Sequence, residues 1–168
     1  MKIYLIGFMG SGKSFWGRSL GHKLGLQFFD LDELVKESAG KAIPEIFAQE
    51  GEEKFRLMEK DNLHLITESH ESFVMACGGG TPCYFNNIDY MNQSGITVWI
   101  NTPMEELYRR LINEKSHRPL ISELEDDQLR NFISKKYSDR RIFYEQASTT
   151  IDEEPIEIQH LIDKIFHA

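Results

Sequence analysis

Short apolar runs alternate with helical stripes along the whole chain. Ile3-Tyr4-Leu5-Ile6 has the look of a buried parallel strand, and it is followed by Trp16, Leu20 and Leu24 at i, i+4, i+8, a helix stopped at Gly25. Gln27-Phe28-Phe29-Asp30-Leu31-Asp32 reads as a short aromatic strand, with a helix over Glu33–Ser38 ended by Gly40. A short helix begins near Ala42 with Pro44 in its early turn, and a longer one follows Gly51. On that longer helix Phe55, Met58, Leu65 and Ile66 are expected to share one face, interrupted by Asn62. Ser72–Cys77, Ile96–Ile100 and Thr149–Ile151 supply three more strands, with helices over Asn86–Gln93, from Thr102-Pro103 through Leu107 and Leu111, and over Leu129–Ala147. A last helix carries Ile158, Leu161, Ile162, Ile165 and Phe166 on its apolar side. Alternating strands and helices predict an α/β fold with a parallel sheet and right-handed crossovers. Between Asn113 and Gln128 the apolar signal fades, which predicts either a surface loop or a lid.

Length and composition narrow the class. The 168 residues suit one domain with a proper core, and no repeat or linker divides them. A net charge of −8 argues against a nucleic-acid or anionic-membrane surface, so any anion must be held by a local cluster of cations. No apolar run approaches the roughly 18 residues of a membrane span. The chain runs almost at once into its first motif, leaving no room for a signal peptide, and its two cysteines, Cys77 and Cys83, suit reduced thiols. A cytoplasmic location is expected.

That first motif is Gly7-Phe8-Met9-Gly10-Ser11-Gly12-Lys13-Ser14, which fits G-x-x-x-x-G-K-[ST] between a strand and a helix. Glycines let backbone N–H groups turn inward around an anion, and the helix N-terminus adds its dipole. Lys13 can reach β/γ-phosphates and the Ser14 hydroxyl can join Mg²⁺. Asp30 and Asp32 follow at the carboxyl end of the second strand, where open α/β sheets bind ligands; either could instead cap the next helix. Arg56 near the start of a helix is misplaced for the helix dipole, and a plain ion pair with Glu52 or Glu59 would account for it. Gly78-Gly79-Gly80 again lies at a strand's carboxyl end and allows either close approach of a ligand or a tight turn.

Taken in order, these pieces resemble the shikimate kinase family of small P-loop phosphotransferases. The resemblance rests on the phosphate loop, Phe29-Asp30-Leu31-Asp32, Gly51-Glu52-Glu53-Lys54-Phe55-Arg56, Gly78-Gly79-Gly80-Thr81, Arg118-Pro119-Leu120, and Arg140 four residues before Tyr144. It implies a single domain over 1–168 with a three-layer P-loop NTPase fold. The five-stranded parallel sheet would have order 2-3-1-4-5, with a substrate-binding region over 31–60 and a lid over 112–124. It implies ATP and Mg²⁺ as cofactors, shikimate as substrate, phosphorylated on its 3-hydroxyl, and a monomeric chain. On matching positions, Gly10, Ser11, Gly12, Lys13 and Ser14 would hold phosphate, and Ser14 and Asp30 (through water) the metal. Asp32 would meet the acceptor hydroxyls, where an unperturbed carboxylate suffices. Arg56 and Arg140 would hold the substrate carboxylate beside Gly78, Gly79 and Gly80, Arg118 would reach the phosphates from the lid, and Arg110 and Pro155 would flank adenine. Phe15 departs from the family's usual threonine. A gluconate-kinase-like enzyme would share the loop and lid but would not need the Asp32, Arg56, triple-glycine and Arg140 set.

Overall fold

The computed structural model describes residues 1–118 and 120–167, so Ala168 and Pro119, the centre of the Arg118-Pro119-Leu120 motif, lie outside the described residues. The five apolar runs become strands β1 (Lys2–Ile6), β2 (Phe28–Asp30), β3 (Phe73–Ala76), β4 (Ile96–Ile100) and β5 (Thr149–Ile151). They form one parallel sheet in the order β2-β3-β1-β4-β5, as the resemblance implied. The connecting helices are α1 (Lys13–Leu24), α2 (Leu31–Ala39), α3 (Ile43–Glu50), α4 (Glu52–Ser69), α5 (Asn87–Ser94), α6 (Met104–Glu114), α7 (Asp126–Tyr144) and α8 (Ile158–Phe166).

The period-two alternation of strand side chains sorts the core into two layers. Ile3, Leu5, Val74 and Val98 pack with Leu20 of α1 and with Leu161 and Ile165 of α8. Tyr4, Ile6, Met75 and Trp99 face the other way, onto Leu63 and Ile66 of α4, Met91 of α5 and Tyr144 of α7. Covered on both faces, the strands leave only their ends for chemistry. Asp30 closes β2, and the loops after β1 and β3 start at the same edge of the sheet.

Three expectations need correction. Leu65 does not join the buried face of α4: it is 62% exposed, and the buried stripe runs through Phe55, Glu59, Leu63 and Ile66. Phe166, the last residue of α8, is likewise open to solvent. The polar segment is also shorter than its composition suggested. Helix α6 continues to Glu114, a 3-10 turn covers Lys115–His117, and α7 starts at Asp126 behind a capping box between Glu125 and Gln128.

That segment is pinned at both ends and in its middle. Lys115 Nζ donates to the Leu124 carbonyl at 2.7 Å and pairs with Asp126 at 3.6 Å. Ile121 is fully buried against Phe8, Leu107, Leu111, Leu129 and Ile133, an apolar anchor inside a polar stretch. Ile121→Ala should therefore destabilise the fold by about 2 kcal/mol. Thermal unfolding should register this as a fall of about 4–8 °C in Tm; an unchanged Tm would mean that Ile121 anchors nothing.

Candidate active site

The phosphate loop takes its shape from glycines with backbone angles that side chains resist: φ is +83° at Gly10 and +91° at Gly12. Inside it, Lys13 is buried, and its ammonium donates to the carbonyls of Gly7 and Phe8 at 2.7 and 2.9 Å. Burial pulls its pKa down to about 8. The Asp32 carboxylate works against that fall, while the charges of Arg118 and Arg140 add to it. An anion laid on the loop would restore full protonation.

Asp30 does both things its position allowed. One carboxylate oxygen accepts the Ser14 hydroxyl at 2.8 Å, and the other caps α2, accepting from the backbone N–H groups of Asp32 and Glu33. Helix α2 therefore begins at Leu31, earlier than expected, and carries Asp32 in its first turn. As a residue Asp32 is exposed along the cleft, but its carboxylate turns toward Gly78, where a β-carbon would lie 3.1 Å from Oδ1. Its pKa is pushed up to about 6, first by loss of solvent and then by the charges of Glu59 and Asp30; Lys13 and Arg56 pull the other way. Water in the cleft tempers the desolvation, so the direction stands on the two neighbouring carboxylates. An ordinary carboxylate would suffice for meeting the acceptor hydroxyl, and this one is shifted upward.

Arg56 makes the ion pairs that were its plain explanation, with Glu59 at 3.1 Å and Glu52 at 3.4 Å. These pairs do not exhaust it. The guanidinium lies over the Tyr84 ring at 4.3 Å, and its Nε is buried without a hydrogen-bond partner among the described residues. Arg140 Nη1 is buried and unpartnered in the same sense. Unsatisfied buried donors are costly, and both arginines line the same cavity, which makes it a candidate place for an anion.

The triple glycine follows from this crowding. A β-carbon on Gly78 would meet Glu59 at 3.0 Å, one on Gly79 would meet Arg140 at 2.9 Å, and one on Gly80 would fall 2.6 Å from Arg56. The floor under the charged groups has no room for side chains. Glu59 holds the arrangement from beneath: fully buried, it pairs with Arg56 and accepts the Thr81 hydroxyl at 2.7 Å. Tyr144 fixes the floor from the other side by donating to the Gly79 carbonyl. Neither was singled out from sequence as part of the site, although Glu59 stands on the apolar stripe of α4, which is a signal.

Two lobes result. One, of about 330 Å³, is lined by the phosphate loop, Ser14, Phe15, Asp30, Asp32, Arg110 and Arg118. The other, of about 600 Å³, is lined by Asp32, Arg56, Gly78, Gly79, Gly80, Arg118 and Arg140, with an apolar wall from Ile43, Pro44, Phe47 and Phe55. Asp32 and Arg118 belong to both. Arg118 is held by Glu114 at 2.8 Å, and Arg110 by Glu106 and the Gly10 carbonyl, each at 3.0 Å. Pro155 does not line either lobe; it is exposed beside Glu154, which pairs with Arg110 at 3.4 Å.

Comparison with known proteins gives a consistent result. The family model described as shikimate kinase matches residues 9–168. A shikimate kinase of Azobacteroides pseudotrichonymphae is 45% identical over 147 residues, covering 88% of this chain and 86% of the relative. One from Parabacteroides distasonis is 38% identical over 167 residues, covering 99% and 96%. Among solved structures, the shikimate kinase of Bacteroides thetaiotaomicron superposes with a TM-score of 0.91 at 34% identity, over 100% and 99% of the two chains. The Acinetobacter baumannii enzyme in complex with shikimate gives 0.86 at 34% identity, over 99% and 90%.

Proposed function

The chain belongs to the shikimate kinase family, and we propose how its residues divide that family's reaction, transfer of the γ-phosphate of ATP to the 3-hydroxyl of shikimate. The observation that carries the division is the place of Asp32, at the joint between the lobe of the phosphate loop and a lobe with two arginines. A small acid held by its carboxylate at the arginines presents its ring hydroxyls back toward Asp32.

Gly10, Ser11, Gly12 and Lys13 cradle the donor's phosphates, with the lysine spread over the β- and γ-groups. Ser14 and Asp30 fit Mg²⁺: one hydroxyl and one carboxylate are the few protein oxygens this ion takes when phosphates and waters supply the rest. When bound, it adds positive charge to the phosphates. Arg56 and Arg140 take the shikimate carboxylate, the charge-assisted pairing that their unsatisfied nitrogens call for. The glycine floor lets the ring lie close, and the Phe47 and Phe55 wall covers its apolar face. Asp32 orients the 3-hydroxyl and accepts its proton, while Lys13 and Arg118 balance charge on the transferring group. Arg110, at the rim of the phosphate lobe, and Pro155, outside both lobes, lie on the adenine side.

Residues 31–60 serve as the substrate-binding region and 112–124 as the lid of one domain spanning 1–168. As the resemblance implies, the chain acts as a monomer. Both cysteines are free thiols and no described helix is long and apolar enough to cross a membrane, in keeping with work in the cytoplasm. The test is ADP formation from Mg·ATP by the purified chain with and without shikimate. Turnover that requires shikimate is the expected result; turnover on gluconate instead, or none on either, would overturn the assignment of the acceptor lobe.

A further inference from the structure

Arg56 is held by more than its two carboxylates. Its guanidinium carbon lies 4.3 Å from the centre of the Tyr84 ring and 5.1 Å from that of Phe55. The Tyr84 hydroxyl donates at 3.0 Å to Oε1 of Glu52, the same oxygen that pairs with Arg56 Nη2 at 3.4 Å. Tyrosine, glutamate and arginine therefore close a triangle: the ring meets the guanidinium, and the hydroxyl holds the guanidinium's partner. An aromatic face restrains a guanidinium without consuming any of its N–H groups, which stay available for an anion.

The chain accepts backbone strain to keep Tyr84 there. A 3-10 turn over Thr81–Cys83 leads from the glycine floor to the tyrosine. Asn87 then ties the turn from the far side: its side chain donates to the Thr81 carbonyl and its backbone N–H to the Tyr84 carbonyl, each at 2.9 Å. Between them Phe85 and Asn86 take φ of +52° and +57°, two consecutive non-glycine residues in the left-handed region. A bulky aromatic residue is an outlier there, and Phe85 gains little burial, since 47% of its surface is exposed. Lys60 of α4 lies over the Phe85 ring at 5.5 Å, so this turn meets α4 at two cations, Arg56 and Lys60. Tyr84 itself does not line the acceptor lobe, so its ring bears on the substrate only through Arg56.

We propose that Tyr84 is a positioning residue for the acceptor: with Glu52 it fixes the guanidinium of Arg56 where the substrate carboxylate meets it. The inference rests on the proposed place of that carboxylate at Arg56. A donor ordered before the substrate arrives binds more tightly than one that must be ordered by it. Without the ring, Arg56 keeps Glu52 and Glu59 but is free to turn further toward them. Tyr84 packs in no apolar cluster of the core, so its replacement leaves the core intact.

Steady-state kinetics of the whole chain, with shikimate varied at saturating Mg·ATP, tests it. Tyr84→Leu should raise the KM for shikimate about ten-fold and leave kcat and the KM for ATP within about two-fold. Tyr84→Phe, which keeps the ring and loses only the bond to Glu52, should stay within about three-fold of wild type. The same Tyr84→Leu change made on top of Arg56→Ala/Glu59→Gln should move the KM by less than about two-fold, because no guanidinium is left to position. A full ten-fold loss persisting in that background would overturn the inference, since Tyr84 would then act without Arg56. Equal damage to kcat, to ATP and to shikimate would also overturn it and make Tyr84 merely structural. An unmoved KM in Tyr84→Leu, alongside a large effect of losing Arg56, would end this inference and leave the acceptor assignment standing. A KM for shikimate indifferent to the loss of Arg56 itself would sink the acceptor assignment and this inference with it.

Discussion

Asp32→Asn is expected to lower kcat by about 10³-fold while changing the KM for ATP little, because the amide keeps the shape of the side chain and loses only its ability to take a proton. Phosphoryl transfer asks little covalent help from a protein, so most of the rate must come from alignment and charge. The acceptor hydroxyl is still an alcohol, however, and its proton needs a destination inside the site. The structure adds a pH signature. With its pKa pushed up to about 6, the carboxylate is largely ionised at neutral pH and is closer in strength to the proton it must accept than an ordinary aspartate. Protonation removes the base, so kcat/KM should climb as pH rises through about 6 and then level off. In Asp32→Asn that acidic limb should vanish along with the rate. Wild-type turnover in the variant would remove Asp32 from the chemistry, and an unchanged acidic limb would move that limb to another group.

Much of this was legible before any coordinates, for reasons that differ from residue to residue. The phosphate loop was readable because its chemistry is written locally: Gly10 and Gly12 supply the backbone angles, and Lys13 and Ser14 follow at fixed spacing. The sheet was readable because its strands are buried on both faces and so appear as unbroken apolar runs. Strand order and the placing of Arg56 with Arg140 in one lobe came only with the family resemblance, since residues 84 positions apart leave no local trace of sharing a cavity. Burial misled where a face had to be guessed. Leu65 was placed inside by its type, but the stripe through Phe55, Glu59, Leu63 and Ile66 leaves it on the solvent side. The same stripe hid Glu59, a charged residue in a core position, whose meaning appears only once Arg56 and Thr81 are seen around it. The polar segment after α6 concealed its anchor in the same way, because one isoleucine among charges has no periodicity. The three glycines could be read as close approach or as a turn, and only the positions of Arg56, Arg140 and Glu59 decide for crowding.

The buried pair under that floor sets the second large effect. Arg56→Ala is expected to do two things at once: raise the KM for shikimate by about 100-fold, through loss of a charge-assisted contact, and destabilise the fold by about 3–5 kcal/mol. The second effect arises because Glu59 is fully buried and would be left without its guanidinium. Burial already raises the Glu59 pKa, and Arg56 and the Thr81 hydroxyl hold it down against that push. Without Arg56 the folded-state pKa rises further above its ordinary 4.5, so the native state binds more protons than the unfolded chain. Stability of the single variant should therefore fall as pH rises above that value, and the loss should be smaller in mild acid than at neutrality. The double variant Arg56→Ala/Glu59→Gln separates the two roles. Removing the uncompensated charge should recover most of the stability and flatten its pH dependence, because the amide does not titrate. It should not recover shikimate binding, since no arginine has been returned to the carboxylate. Denaturant unfolding at two pH values, with the KM for shikimate measured on the same samples, gives both readings. If the double variant regained shikimate affinity along with stability, Arg56 would be a structural residue only, and Arg140 would hold the substrate carboxylate alone.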